Sequence, residues 1–282
     1  MQYSPSDRTK IILLGTGNPN ADPHRSGPAT AVLVDNVPYL VDCGPGVVRR
    51  AAAGFYQGVE GLAVSRLEHL FITHLHSDHT AGLPDLILTP WVLGRQAPLQ
   101  VFGPPGLCAM CEHLLQAYQG DIDQRIEGLE PANTSGYKVE AHEVQPGLVY
   151  QNDLIRVEAH PAKHGSWVAF SYKFITQDRT MVISGDRKPT ESSLNFFANC
   201  HILVHEVYSS AGFEQLPLHW QRYHSRVHTS SSELAHLANQ IKPGLLVLTH
   251  QLWWGTSEAE LLSEIKALYD GEVISGADLN VF

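Results

Sequence analysis

No stretch of this sequence approaches the apolar run of about 20 residues that a membrane span requires. The polar start Met1-Gln2-Tyr3-Ser4-Pro5-Ser6-Asp7 also lacks the charged and apolar regions of a signal peptide. Together these absences make a cytoplasmic chain with no membrane partner the expectation. Cysteine is scarce: Cys43, Cys108, Cys111 and Cys200 are too few and too scattered for a disulfide framework. Cys108-Ala109-Met110-Cys111 is a single C-x-x-C in a helical-looking stretch, and with no second pair it reads as packing rather than as a redox or zinc motif. Positive charge is in deficit as well. With 19 Lys and Arg against 29 Asp and Glu the net charge is −10, so nucleic acid is not expected as a partner unless a local basic pocket exists. Repeats, linkers and low-complexity tracts are also missing. A chain of 282 residues, 43% hydrophobic and 17% charged, then suits a single globular domain over 1–282.

What the sequence does have is histidine, 16 in all, and some of it is clustered. His74-Leu75-His76-Ser77-Asp78-His79 packs three imidazoles and a carboxylate into one short stretch. An apolar segment, Leu67 to Thr73, precedes it and reads as a buried strand; Gly82-Leu83-Pro84-Asp85 follows, with a proline suited to a first helical turn. The cluster is thus expected on a strand-to-helix loop. Alternation puts His74 and His76 on one side of an extended segment, while Asp78 and His79 fall where the chain turns. Two directions of donation suggest two metals, and neutral imidazole with carboxylate suits zinc.

Along the chain, Lys10 to Gly17 reads as a strand ending in a glycine turn, and Ala29 to Val34 with Tyr39 to Val41 as a hairpin. Asp42-Cys43-Gly44-Pro45-Gly46 then breaks the chain before a helix. Asp42 at that strand end either orients a metal-bound histidine from behind or caps the helix. Helix over 83–93, strand over 99–102 and helix over 108–118 follow. A β-rich part comes next, with strands at 137–144, 148–150, 154–160, 167–174 and 180–184. The tail alternates again through strands at 202–205 and 245–249 and helices at 231–241 and 258–269. Each half is a β-rich sheet flanked by helices, which suggests an α/β sandwich with the helices outside. Further acids and histidines lie at strand ends: His160 and His164, Asp186 in Ser184-Gly185-Asp186-Arg187, and His250 after Thr249. In such a sandwich His164, Asp186 and His250 are placed to join the first cluster.

The H-x-H-x-D-H stretch resembles the metallo-β-lactamase superfamily, and the resemblance covers nearly the whole chain. It implies a four-layer αββα fold with His74, His76 and His164 on one zinc, Asp78, His79 and His250 on a second, and Asp186 bridging; Mn2+ or Fe2+ could replace Zn2+. Within the superfamily the likeness is to the branch holding ribonuclease Z and the zinc-dependent arylsulfatases. Leu14-Gly15-Thr16-Gly17, Leu40-Val41-Asp42-Cys43-Gly44, His205-Glu206 and His228-Thr229-Ser230 carry the ribonuclease Z side. Gly82-Leu83-Pro84-Asp85, Gly94-Arg95 and Gly103-Pro104 resemble the arylsulfatase type. Two departures stand out. Only Thr176-Gln177-Asp178-Arg179 separates strands where many ribonuclease Z proteins carry a long arm that grips transfer RNA, and Arg187 replaces a usual threonine.

Two zincs would lower the pKa of a bridging water to roughly neutral and aim it at an electrophilic centre. Asp78 would orient that nucleophile, and His228, held by Glu206, would protonate the leaving oxygen. Glu206 otherwise reads as a buried acid paired with a structural histidine. His205 is expected behind the ligands, and Arg187 with Lys188 either binds an anionic ester or decorates the surface. One of Trp253 and Trp254 is expected to line a cleft, with the other in the core. The expected function is a dinuclear zinc hydrolase of a small anionic ester, a phosphodiester or an aryl sulfate. The alternatives are a lactonase or other acyl hydrolase, a transfer-RNA 3′-processing endonuclease, and a catalytically silent metal-binding scaffold. The resemblance also allows a homodimer.

Overall fold

The structure is a computed structural model and describes residues 8–130 and 132–282. The polar start at 1–7 lies outside them. The described chain groups into two compact units, one formed by 8–15, Asp22–Val144 and Asp278–Phe282, the other by Thr16–Ala21 and Gln145–Ala277.

The first unit carries a six-stranded sheet in simple sequence order: β1 (Thr9–Gly15), β2 (Ala29–Val34), β3 (Val37–Val41), β4 (His69–Phe71), β5 (Leu99–Gly103) and β6 (Val139–Glu143). β1 to β3 are antiparallel and β3 to β6 parallel. The first hairpin turns on Asp35 and Asn36, with φ of 50° and 63°. Those residue types tolerate the left-handed region best after glycine, and two of them in series match the strand twist. Among the described residues the sheet is accompanied by α1 (Val47–Tyr56), α2 (Ser77–Thr80), α3 (Leu83–Val92), α4 (Leu107–Ala117) and α5 (Gln119–Glu127). Ile12, Leu33, Leu40, Leu70, Ile72, Leu86 and Val101 join one buried cluster, because near-continuous apolar strands must be covered by helices. Arg95 is buried and donates to the carbonyls of Leu67, Leu86, Ile87 and Gly136. It thereby fixes the end of α3, and burial pushes its guanidinium down to about 10.

The second unit holds a seven-stranded sheet, in order β13-β12-β11-β10-β9-β8-β7. Its strands are β7 (Gly147–Gln151), β8 (Arg156–His164), β9 (Trp167–Ile175), β10 (Thr180–Ile183), β11 (Ile202–Tyr208), β12 (Leu245–Leu252) and β13 (Val273–Ser275). β7 to β10 are antiparallel; β10 to β13 are parallel. The helices are α6 (Glu191–Phe197), α7 (Ser210–Glu214), α8 (Leu218–Val227), α9 (Ser231–Ile241) and α10 (Glu258–Lys266). α9 and α10 both start in a capping box, Ser230 with Glu233 and Ser257 with Glu260, which satisfies orphan amides at each start. Leu234, Ala235, Ala238 and Ile241 of α9 pack into a cluster with Leu203 and Leu246. β9 and β10 are joined tightly, with the Thr176 amide donating to the Arg179 carbonyl at 2.9 Å.

Candidate metal centre

Parallel strands deliver the histidine cluster of the first unit. β3 and β4 run side by side, so the residues leaving their carboxyl ends meet: the Asp42 amide donates to the Phe71 carbonyl, and Thr73 follows just beyond. Asp42, at φ 60°, accepts from the Thr73 amide at 2.7 Å and from the Thr73 hydroxyl at 2.8 Å. Its other contact is His79 Nδ1 at 2.8 Å. A carboxylate only accepts, so Nδ1 of His79 carries the proton and Nε2 is left with its lone pair. A similar relay orients His74. The Thr73 hydroxyl donates to Asp42 and so receives Nδ1–H of His74 at 3.0 Å, again leaving Nε2 as the electron-pair donor. Nε2 of His74 lies 2.9 Å from Nδ1 of His76, and Nε2 of His79 lies 3.5 Å from a carboxylate oxygen of Asp78. Imidazoles tied at one nitrogen and aimed with the other are the arrangement metal-binding histidines need.

The stretch is not wholly a loop, since Ser77–Thr80 forms one helical turn that carries Asp78 and His79. Glycines make this packing fit. A Cβ on Gly44 would come within 2.5 Å of the Asp78 carbonyl, and one on Gly82 within 2.5 Å of the Gly44 carbonyl. Asp42 faces Thr73 and His79, while α1 is preceded by Gly46 with no side-chain cap, so this carboxylate does not cap α1.

In the second unit His164 ends β8, and its Nδ1 donates to the Val227 carbonyl at 2.8 Å. Burial lowers the affinity of this imidazole for a second proton, an effect Asp186 opposes. Asp186 leaves the end of β10 and is buried. His250 sits at a bulge: β12 pairs Thr249 with Glu206 and Gln251 with Val207, so His250 is the extra residue, with φ 45°. Bulges re-aim side chains, and here Nε2 of His250 comes 3.4 Å from Asp186 Oδ2. Asp186, His228 and His250 each bring a ligand atom within 4.8 Å of the others. This buried nitrogen and oxygen set suits a divalent metal, zinc in the first place.

His228 caps the end of α8, and its Nδ1 lies 3.4 Å from Oε2 of Glu206 and 3.8 Å from Asp186. The expected pair is adjacent without a hydrogen bond between these atoms. The other Glu206 oxygen accepts from the amides of Thr229, at 2.8 Å, and Arg187, at 3.3 Å.

Three expectations need correction. Arg187 is fully buried; its guanidinium donates to Ser171 and Thr190 and lies 4.8 Å over Phe197, so it neither decorates the surface nor reaches a substrate. His205 alternates to the opposite side of β11 from Glu206. Its Nδ1 donates to the Glu206 carbonyl and its ring meets the edge of Phe197, so it supports no ligand histidine; burial pushes it down to about 4. His160 lies inside β8 against Phe196 rather than at a strand end. Lys188 pairs with Glu233. The sequence reading missed Thr73, which stands in the motif itself, and His224, four residues before His228 and stacked on it at 5.5 Å. His224 is also pushed down to about 4, by burial and then by His228. Trp254 joins it at 4.4 Å, whereas Trp253 packs on the core of α9.

Residues 38–251 match the family described as the β-lactamase superfamily domain. A protein from Mycobacterium sp. (strain KMS) named ribonuclease Z is 37% identical over 246 residues, covering 86% of this chain and 84% of its own length. Another so named, from Mycobacterium bovis BCG, is 33% identical over 96% of both chains. Among solved structures, a metallo-β-lactamase fold protein from Bacillus subtilis matches with a TM-score of 0.76 at 18% identity, over 98% of this chain and 99% of the other. The short form of human tRNase Z matches at 0.71 and 21% identity, over 97% and 98%. These matches bear out the α/β fold class expected from the sequence. The relatives' name runs against the expectation that nucleic acid is no partner, which rested on net charge and on the short turn where a ribonuclease Z arm would stand. The ordered H-x-H-x-D-H stretch, the strand-end Asp186 and the bulged His250 thus sit in a chain that belongs to the metallo-β-lactamase superfamily, in its ribonuclease Z-like branch.

Proposed function

We propose that this protein is a zinc-dependent phosphodiesterase acting on RNA, with a transfer-RNA precursor as the first substrate to test. The identity of 33–37% to proteins named ribonuclease Z, along most of both chains, carries the reading. In this proposal His74, His76 and His164 take one zinc, Asp78, His79 and His250 a second, and Asp186 is shared. The Nδ1 tethers of His74, His79 and His164 support it, because each frees Nε2 for a metal. Bound zinc would supply Lewis acidity, acidifying water to near neutrality and offsetting charge on the phosphoryl oxygens.

The chain's own residues supply the rest. Asp78 accepts a hydrogen bond from the attacking water and so aims it at phosphorus. His228 hands a proton to the leaving oxygen, and Glu206 lies 3.4 Å from its Nδ1. Arg187 and Thr229 hold Glu206 in place through their amides. A second reading, a small phosphodiester as substrate, is favoured by the tight Thr176–Arg179 turn, where the resemblance would put an RNA-gripping arm. The comparisons favour neither an aryl sulfate nor a lactone.

Metal analysis and four assays separate these readings: a transfer-RNA precursor with a 3′ trailer, bis(p-nitrophenyl) phosphate, p-nitrophenyl sulfate and a lactone. Cleavage of the precursor, abolished by a chelator and restored by zinc, is the expected result. Turnover of the lactone or sulfate without either phosphodiester refutes the proposal. Bound zinc with no turnover at all points instead to a binding scaffold.

A further inference from the structure

Beside His164 the second unit has a cleft of about 350 Å³, lined by Trp167 at the start of β9 and by Arg222, Tyr223, Arg226 and Val227 of α8. Its rings are partly open to solvent, Trp167 at 47% and Tyr223 at 42%. Arg222 and Arg226 stand one helical turn apart, both exposed, and among the described residues neither guanidinium pairs with a carboxylate. Like charges at this spacing cost a helix some stability. No Asp or Glu occurs anywhere from Gln215 to Ser232, although the whole chain is at −10. α8 also carries a row of rings towards the candidate ligands. Trp220 stacks on His224 at 5.6 Å, His224 on His228 at 5.5 Å, and His228 on His250 at 5.5 Å.

From this juxtaposition we propose that the cleft is a nucleotide subsite, in which Arg222 and Arg226 hold the phosphate next to the reacting one while Trp167 and Tyr223 stack on its unpaired base. The proposal rests on the RNA reading and deepens it. Paired guanidinium forks match phosphate geometry, and every base offers a face to an aromatic ring. A base inside a duplex already has both faces covered. The subsite therefore selects RNA with an unpaired nucleotide beside the scissile bond. It also stands in for grip that the short β9–β10 turn does not offer.

The test is binding of a labelled single-stranded phosphorothioate oligoribonucleotide, which keeps its charge and resists hydrolysis, to the zinc-loaded protein. Anisotropy is followed against salt, with thermal midpoint and zinc content checked for each variant. The double variant Arg222→Ala with Arg226→Ala is expected to weaken binding about tenfold at low salt. It should also lower the slope of log K against log salt by about 0.7, the value for one phosphate no longer neutralised. Lysine at both positions should keep the slope. Tyr223→Ala should weaken binding by roughly 5- to 150-fold with the slope unchanged, and Tyr223→Phe should restore it. A blunt duplex should bind without regard to Tyr223. Unchanged affinity and slope in the double-alanine variant overturn the subsite, as does a wild-type protein that does not bind the single strand. Its fate and that of the RNA reading come apart cleanly. Binding through these residues without RNA cleavage keeps the subsite and sinks the activity; cleavage with normal binding by the variants does the reverse.

Discussion

Asp42→Asn changes one atom in a buried carboxylate that accepts from both Thr73 and His79. Asparagine tolerates the φ of 60° and still offers Oδ1 to the amide and hydroxyl of Thr73, which lie 2.7 to 3.0 Å away. Its NH2, however, replaces the carboxylate oxygen that receives Nδ1–H of His79 at 2.8 Å. Two donors cannot share that contact. His79 is therefore expected to move its proton to Nε2, the atom proposed for the metal, and binding zinc would then have to displace that proton. Loss of such an outer partner costs about 10- to 100-fold in metal affinity, or about 1.4 to 2.7 kcal/mol. Losing one charge-assisted hydrogen bond should also cost about 1.5 to 3 kcal/mol of stability. Competition with a chromophoric chelator measures the first quantity and denaturant unfolding the second. An Asn variant that unfolds more easily yet binds zinc with wild-type affinity would show that Asp42 only holds the turn at Thr73. Asp42→Ala is the poorer probe, since it adds about 1 to 2 kcal/mol of left-handed strain.

Three further outcomes are expected. Asp186→Ala should release at least one zinc per chain and lower phosphodiester turnover by roughly a hundredfold or more; full zinc content with full turnover removes it from the ligand set. His228→Gln should lower kcat by about 10²- to 10⁴-fold with zinc retained. Parallel loss of zinc would make His228 a ligand, as its grouping with Asp186 and His250 allows. The third concerns acid. His205 is held down at about 4 against an ordinary 6.5, mainly by burial. Between those values the unfolded chain binds a proton that the folded chain does not, so stability rises with pH across this window. On the order of 3 kcal/mol should be lost as pH falls from 6.5 to 4. Unfolding measured from pH 4 to 7 should show a flatter profile in His205→Gln; an identical slope assigns the acid sensitivity to other groups.

The strands were legible wherever burial demands an unbroken apolar run, as in β2, every residue of which is buried. The histidine cluster was legible because its residues are neighbours in sequence. The distant candidates are harder to read: Asp186 follows the end of β10, and His250 lies at a bulge inside β12. What failed did so for local physical reasons. α8 exposes most of its surface and buries only Val227, so no apolar period marks it, and α5 likewise buries only Ile122. Pro161 suggested that β8 stops near His160. β7 pairs with β8 only as far as Ala159, so beyond it a missing amide leaves no ladder bond broken on that side, and the strand runs on to His164. The bulge at His250 leaves no mark in the sequence, and Arg187 looked superficial because charge usually is.

Net charge is a weak guide for a related reason. At physiological ionic strength a charge is screened beyond about 8 Å, so a polyanion responds to the groups it touches and hardly to the sum over the chain. The acid-free stretch from Gln215 to Ser232 is therefore more informative than −10. Two substitutions separate the two views. Arg226→Glu and Lys266→Glu each change the net charge by the same amount, but Arg226 lines the cleft while Lys266 is an exposed residue of α10 that does not. If the sum governed, both would weaken oligoribonucleotide binding equally. With local control, Arg226→Glu should remove one phosphate contact and add repulsion, for a loss of roughly tenfold or more at low salt, while Lys266→Glu stays within about twofold of wild type. Equal losses, measured by anisotropy in the same buffer, would return the acidic balance as an argument against nucleic acid and take the cleft with it.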